Sequence, residues 1–129
     1  EKGKEFADLI ISNHSLEHCI NPLSEIKLLY QLLKKNGKIH LIVPCDTIKY
    51  EWKPNDINFH LFSWSPMNLG NLFVAAGFKV LKTNPIIHKW PPFYKNIQKI
   101  FGWQVFNLIC SLWGRIKNQS YQVEIIATK

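Results

Sequence analysis

Arginine is almost missing from this chain. Of sixteen basic residues only Arg115 is an arginine; the others are lysines scattered against nine acids, for a formal charge of +7. A nucleic-acid surface is marked by clustered arginines and a recognisable motif, and neither is present. The lysine excess reads as solubility and helix-end charge, so no nucleic-acid partner is expected. Cysteine is also scarce. Cys19, Cys45 and Cys110 are far apart, odd in number and lack a C-x-x-C spacing. That excludes a disulfide framework and suits buried, reduced thiols. Long apolar runs are lacking too: the most apolar late stretch, Phe101 to Trp113, is interrupted by Gln104 and Asn107 and is too short to span a bilayer. With no transmembrane segment and no leader pattern, a cytoplasmic protein is expected. Apolar residues at 47% and charged residues at 19% exclude disorder, and 129 residues suit a single domain, 1–129.

What is present is a sequence of sheet and helix signals. Phe6 to Ile11 is a continuous apolar run broken only by Asp8, which suits a strand buried on both faces of a parallel sheet. Asn21-Pro22 opens a helix through about Lys35, with Leu23, Ile26, Leu29, Leu32 and Leu33 at helical spacing and Asn36-Gly37 as its stop. Ile39 to Val43 is a second strand, ended by Pro44, and the crossover between the two strands is parallel and right-handed. A long connection covers 45–64, a length common in lids and binding loops. Ser65 caps a helix to about Ala76, Phe78 to Thr83 forms a third strand, and Asn84-Pro85 breaks it. A helical region follows from about Phe93 to Lys117, divided at Gly102, and Tyr121 to Thr128 alternates as a last strand. These elements make an α/β sheet with helices on its faces.

Several of these stretches carry a resemblance. Asp8-Leu9-Ile10-Ile11 followed by Leu16-Glu17-His18, then Leu32-Leu33-Lys34-Lys35-Asn36-Gly37-Lys38, Ile39 to Pro44, His60 to Ser65 and Leu72 to Phe78 resemble class I S-adenosylmethionine-dependent methyltransferases. The likeness is closest to the ubiquinone-pathway O-methyltransferase group. It implies a partial Rossmann-like sheet holding strands four to seven of seven, in the order 4-5-7-6 with the last strand antiparallel. It also implies S-adenosylmethionine as cofactor and a small-molecule acceptor. The family's Gly-rich turn and ribose-binding acid lie in its first half and have no counterpart here; Gly3 stands alone between charged residues. The resemblance therefore implies the C-terminal half of a methyltransferase domain, lacking the Gly-rich cofactor-binding half and inactive as an isolated chain. In such a half the strand near Leu9 to Ile11 is an unpaired apolar edge, so a homo-oligomer joined through it is expected.

Ligands of open α/β sheets bind just beyond the carboxyl ends of strands, where this chain places Ser12, Asn13 and His14. The resemblance assigns these three to the methyl donor. His18 and His60 are the candidate catalytic residues bordering the acceptor, His60 as a general base, because histidine is the residue type that exchanges protons near neutral pH. The spacing His14-Ser15-Leu16-Glu17-His18 also matches H-x-x-E-H, a zinc-peptidase pattern that needs both histidines on one helical face. Here it follows a strand and Pro22 soon starts a new helix, so no metal site is assigned. The resemblance adds a divalent-metal cluster of acid, acid and histidine at this loop in some members; Glu17 and His18 match the second acid and the histidine, but His14 replaces the first acid. Trp52, Trp64, Trp90, Phe93 and Tyr94 are candidates for an apolar acceptor wall, and Trp103, Phe106 and Trp113 for a lid or a membrane-facing surface. A non-catalytic interaction module that keeps half of the fold is the alternative reading.

Overall fold

The computed structural model describes residues 5–46, 51–117 and 121–129, so Gly3 and part of the long connection, 47–50, lie outside the described residues. In chain order the elements are β1 (Ala7–Asn13), one turn of 3-10 helix (Leu16–His18), α1 (Pro22–Leu32), β2 (Leu33–Pro44), α2 (Pro66–Ala75), β3 (Lys79–Ile87), α3 (Tyr94–Lys117) and β4 (Tyr121–Thr128). The four strands form one sheet ordered β1-β2-β4-β3. β1 and β2 run parallel, and β4 is antiparallel to both β2 and β3. This is the 4-5-7-6 order with its antiparallel insertion that the resemblance implied.

Local chemistry sets the helix starts. The Asn21 side chain accepts a hydrogen bond from the Ser24 amide at 3.2 Å, and Pro22 occupies the first turn, where a missing N–H costs nothing. Ser65 and Asn68 form a reciprocal capping box, each side chain bonding the other's amide. Helix α1 ends at Leu32, short of Lys35, and β2 starts at Leu33 rather than Ile39. Leu33 leaves the helix because its side chain is drawn fully into the core, and it pairs with Ala7 of β1. β3 likewise runs past the expected break at Asn84-Pro85 to Ile87. It is an edge strand, where a proline is tolerated because the ladder asks no N–H of it.

One face of the sheet carries the core. Ile39, Leu41 and Val43 of β2 and Val123, Ile125 and Ala127 of β4 pack with Ile26 of α1 and with Leu69 and Phe73 of α2. The opposite face is polar at its centre, where Glu124 accepts from Lys82 at 2.8 Å and pairs with His40 at 2.9 Å. The Lys82 hydrogen bond outweighs burial and, with His40, holds the Glu124 carboxyl below the usual carboxylate range. β1 is therefore not buried on both faces as its composition suggested. Ile10 faces the core, whereas Leu9 and Ile11 are 54% and 70% exposed, because α1 and α2 pack on the same side of the sheet.

α3 lies at the far edge. It kinks at Gly102, whose φ of 72° and ψ of 177° fall outside the helical region and favour glycine. Past the kink, Phe106 and Cys110 are buried and the Lys89 amide donates to the Cys110 carbonyl at 3.2 Å. Gly114 lets the helix approach β3 closely: a Cβ there would lie 2.6 Å from the Ile87 side chain.

Candidate functional site

The candidate site is assembled at the carboxyl ends of β1 and β2. After Asn13 the backbone turns sharply: His14 takes a left-handed φ of 52° and its amide donates to the Ile42 carbonyl at 2.9 Å. The Ser12 and Ser15 hydroxyls share a 2.6 Å hydrogen bond across the turn. The 3-10 turn that follows buries Leu16 and Glu17 and leaves His18 exposed.

The returning limb of the long connection closes over this turn. Leu61 and Phe62 both donate their amides to the Glu17 carbonyl, at 2.9 and 3.3 Å. The Asp46 amide donates to the Ser63 hydroxyl at 2.8 Å, and the Trp64 amide to the Pro44 carbonyl at 3.3 Å. These bonds bring His60 against His18, with ring centroids 5.2 Å apart, edge to face. The two candidate catalytic histidines, far apart in sequence, are neighbours in the fold. His60 Nδ1 lies 3.6 Å from Asp46 Oδ2.

Glu17 enters the sequence reading only within the H-x-x-E-H spacing and the incomplete metal cluster, and its burial is not expected from either. A glutamate in a polar loop ordinarily faces water, yet this side chain is 0% exposed and, among the described residues, neither carboxylate oxygen has a hydrogen-bond partner. His14 Nδ1 and His18 Nε2 stand 3.4 and 3.8 Å from Oε1, close enough for charge pairing without hydrogen-bond geometry. A buried carboxylate is costly unless something satisfies it. One donor atom from each of Glu17, His18 and His60 lies within 4.8 Å of the others, a nitrogen and oxygen set of the type that holds zinc and similar divalent ions.

A cleft of about 1230 Å³ runs from Asn13 and Ile42 to β3 and α3, with Trp90, Tyr94, Trp103 and Arg115 among its walls; Glu17, His18 and His60 are not among the residues that line it. Of the three donor candidates only Asn13 lines it, while Ser12 is tied to Ser15 and His14 turns toward Glu17. The aromatic candidates divide. Trp90 and Tyr94 stack at 4.6 Å in the cleft wall, Trp64 belongs to the core, and Trp52 and Phe93 are exposed. The three cysteines are free, Cys110 buried and Cys19 and Cys45 half-buried. Burial pushes all three thiols up, aided at Cys19 by Glu25 and Glu17 and at Cys45 by Asp46, so they are poor nucleophiles at neutral pH.

A family model described as "Methyltransferase domain" matches residues 1–83. The chain belongs to the methyltransferase-domain family. Solved structures, several of them S-adenosylmethionine-dependent methyltransferases, agree on the fold. A SAM-dependent methyltransferase from Archaeoglobus fulgidus superposes with a TM-score of 0.55 at 18% identity, over 98% of this chain and 61% of that one. The Haemonchus contortus phosphoethanolamine N-methyltransferase 2, solved with phosphomonomethylethanolamine and S-adenosylhomocysteine, gives 0.57 at 13% identity, over 99% and 34%. The [4+2]-cyclase SpnF gives 0.60 at 17%, over 95% and 49%. No curated protein matches the sequence. The methyltransferase chain thus spans roughly half the length of the solved structures it matches, and the cyclase among them shows that the fold alone does not set the reaction. Among the described residues no helix is long and apolar enough to cross a membrane.

Proposed function

We propose that the chain is the C-terminal half of a cytoplasmic S-adenosylmethionine-dependent methyltransferase domain that alkylates a small or apolar acceptor. In this reading the Gly-rich cradle for the donor lies in the part of its relatives that the chain does not span. S-adenosylmethionine, when bound, supplies a methyl carbon on a sulfonium, made electrophilic by the positive sulfur. Asn13 faces it from the end of β1, with Ser12 and His14 shaping the turn that holds Asn13 in place. His18 and His60 border the acceptor. Asp46 faces His60 Nδ1 and so orients the ring, which leaves Nε2 to take the acceptor's proton. Much of the rate in such a displacement comes from alignment, which the pinned turn supports. The observations that support the reading are the meeting of His18 and His60 just past the end of β1 and the place of Asn13, at that same strand end, in the wall of the cleft.

Amide chemical-shift mapping with S-adenosylhomocysteine tests it and tolerates weak affinity. Shifts centred on Ser12, Asn13 and His14, lost in Asn13→Ala, are the expected result. A folded chain whose spectrum is unchanged at millimolar ligand overturns a donor contact made by this half alone. An unchanged spectrum at these residues in a chain extended to include the Gly-rich half overturns the reading and favours a non-catalytic interaction module. The exposed edge at Leu9 to Ile11 supports a homo-oligomer joined there.

A second reading of the same cluster is favoured by the orphaned Glu17 carboxylate: Glu17, His18 and His60 hold a divalent ion that orients the acceptor oxygen. Zinc titration distinguishes the two. Stoichiometric binding abolished by Glu17→Gln assigns the ion, and no uptake leaves the histidines to acid–base work.

A further inference from the structure

From Ile57 to Val123 the chain contains no aspartate or glutamate, while it contains Lys79, Lys82, Lys89, Lys95, Lys99, Arg115 and Lys117. The nine acids are matched by nine basic residues elsewhere, so this span accounts for the whole charge of +7. α3 lies within it. Past the kink, Phe106, Cys110 and Gly114 recur every four residues and form the buried side of the helix. On the other side Val105, Leu108, Leu112 and Ile116 recur at spacings of three and four and are between 42% and 73% exposed. Such spacing places all four on one helical face, as a continuous apolar stripe. Exposed Ile100, Phe101 and Trp103 extend the apolar surface through the kink, and Lys95, Lys99, Arg115 and Lys117 are exposed around it. The Lys117 ammonium lies 4.9 Å above the Trp113 ring, its stem lying along apolar surface and its charge at the rim.

We propose that α3 is an interfacial helix that seats this protein on an anionic phospholipid bilayer. Helices of this composition sink their apolar face to the level of the acyl boundary, held by buried apolar area together with attraction between Lys or Arg and anionic headgroups. The charge pattern selects this occupant. A second copy pairing through the stripe would bring two acid-free basic surfaces together, whereas anionic headgroups complement them. Nor does any strand added beyond β1 cover the stripe, since α3 packs at β3, the opposite edge of the sheet. The cleft-lining side of the same helix carries Trp103, Phe106, Ser111 and Arg115, so the bilayer surface lies next to the cleft.

Flotation of the full chain with phosphatidylcholine vesicles, with and without phosphatidylglycerol, tests this. The chain is expected to float with the anionic vesicles, to stay behind with the neutral ones, and to be released by high salt. The pair Leu108→Glu and Leu112→Glu, and separately the pair Lys95→Glu and Lys99→Glu, each lower the partition constant by roughly tenfold or more. The lysine pair changes exposed charge alone and so reports even where the leucine pair disturbs folding, which circular dichroism reads. Absence of flotation with anionic vesicles overturns the proposal, as does equal flotation with neutral ones. A doubled mass in lipid-free buffer that the leucine pair halves also overturns it, and assigns the stripe to a second copy.

Discussion

The two edges of the sheet are built on opposite rules. At β3 the chain places Lys79, Lys82 and Pro85, shifts register between Val80 and Lys82, and lays α3 against the strand's end. Each of these blocks the addition of another strand. At β1 it places Leu9 and Ile11, both exposed, with the exposed pair Asp8 and Lys34 as the one ionic contact there among the described residues. An exposed pair of this kind contributes little. The comparison teaches that the β3 side is finished as a surface, whereas the β1 side is left without those protections, as the proposed interface requires.

Three substitutions break or sharpen that contrast, from the largest effect to the smallest. Gly114→Val drives a branched side chain into Ile87 and pushes α3 off the β3 edge. A loss of about 2 kcal/mol is expected, read as a lower urea midpoint. Leu9→Lys combined with Ile11→Lys gives β1 the protection β3 already has. Sedimentation should show the oligomer reduced to monomer with stability changed by less than about 0.5 kcal/mol, and a monomeric parent would refute the interface. Glu124→Gln weakens the polar ladder of Lys82, Glu124 and His40, at a cost of about 1 kcal/mol at neutral pH. Because the folded-state pKa of Glu124 lies below its unfolded value, that contribution is present above about pH 4.3 and lost as pH falls further through the folded pKa. Parent and variant stabilities should therefore converge in acid.

Much of this architecture was legible in the residues. Caps at Asn21 and Ser65, the division at Gly102 and the alternation of β4 all report local chemistry, which a sequence displays directly. The strand order did not come from periodicity, since alternation is the same whichever neighbour a strand takes; it came from family resemblance. Local rules failed where tertiary demands overrode them. Leu33 abandons a good helical position for the core, and Pro85 persists in a strand because that strand has a free side. In the site, Ser12, Asn13, His14 and His18 follow from the end of β1. Glu17 was legible as a motif residue, but its burial was not, because nothing in its neighbours in sequence announces that Leu61 and Phe62 will fold back onto its carbonyl.

β4 is last in chain order among the strands yet lies between β2 and β3. On the ribosome, the parallel pair β1 and β2 and the lone strand β3 must therefore wait unjoined until Val123, Ile125 and Ala127 emerge. The sheet closes in a late event across a large sequence separation, a topology that slows folding and leaves unpaired strand edges exposed until then.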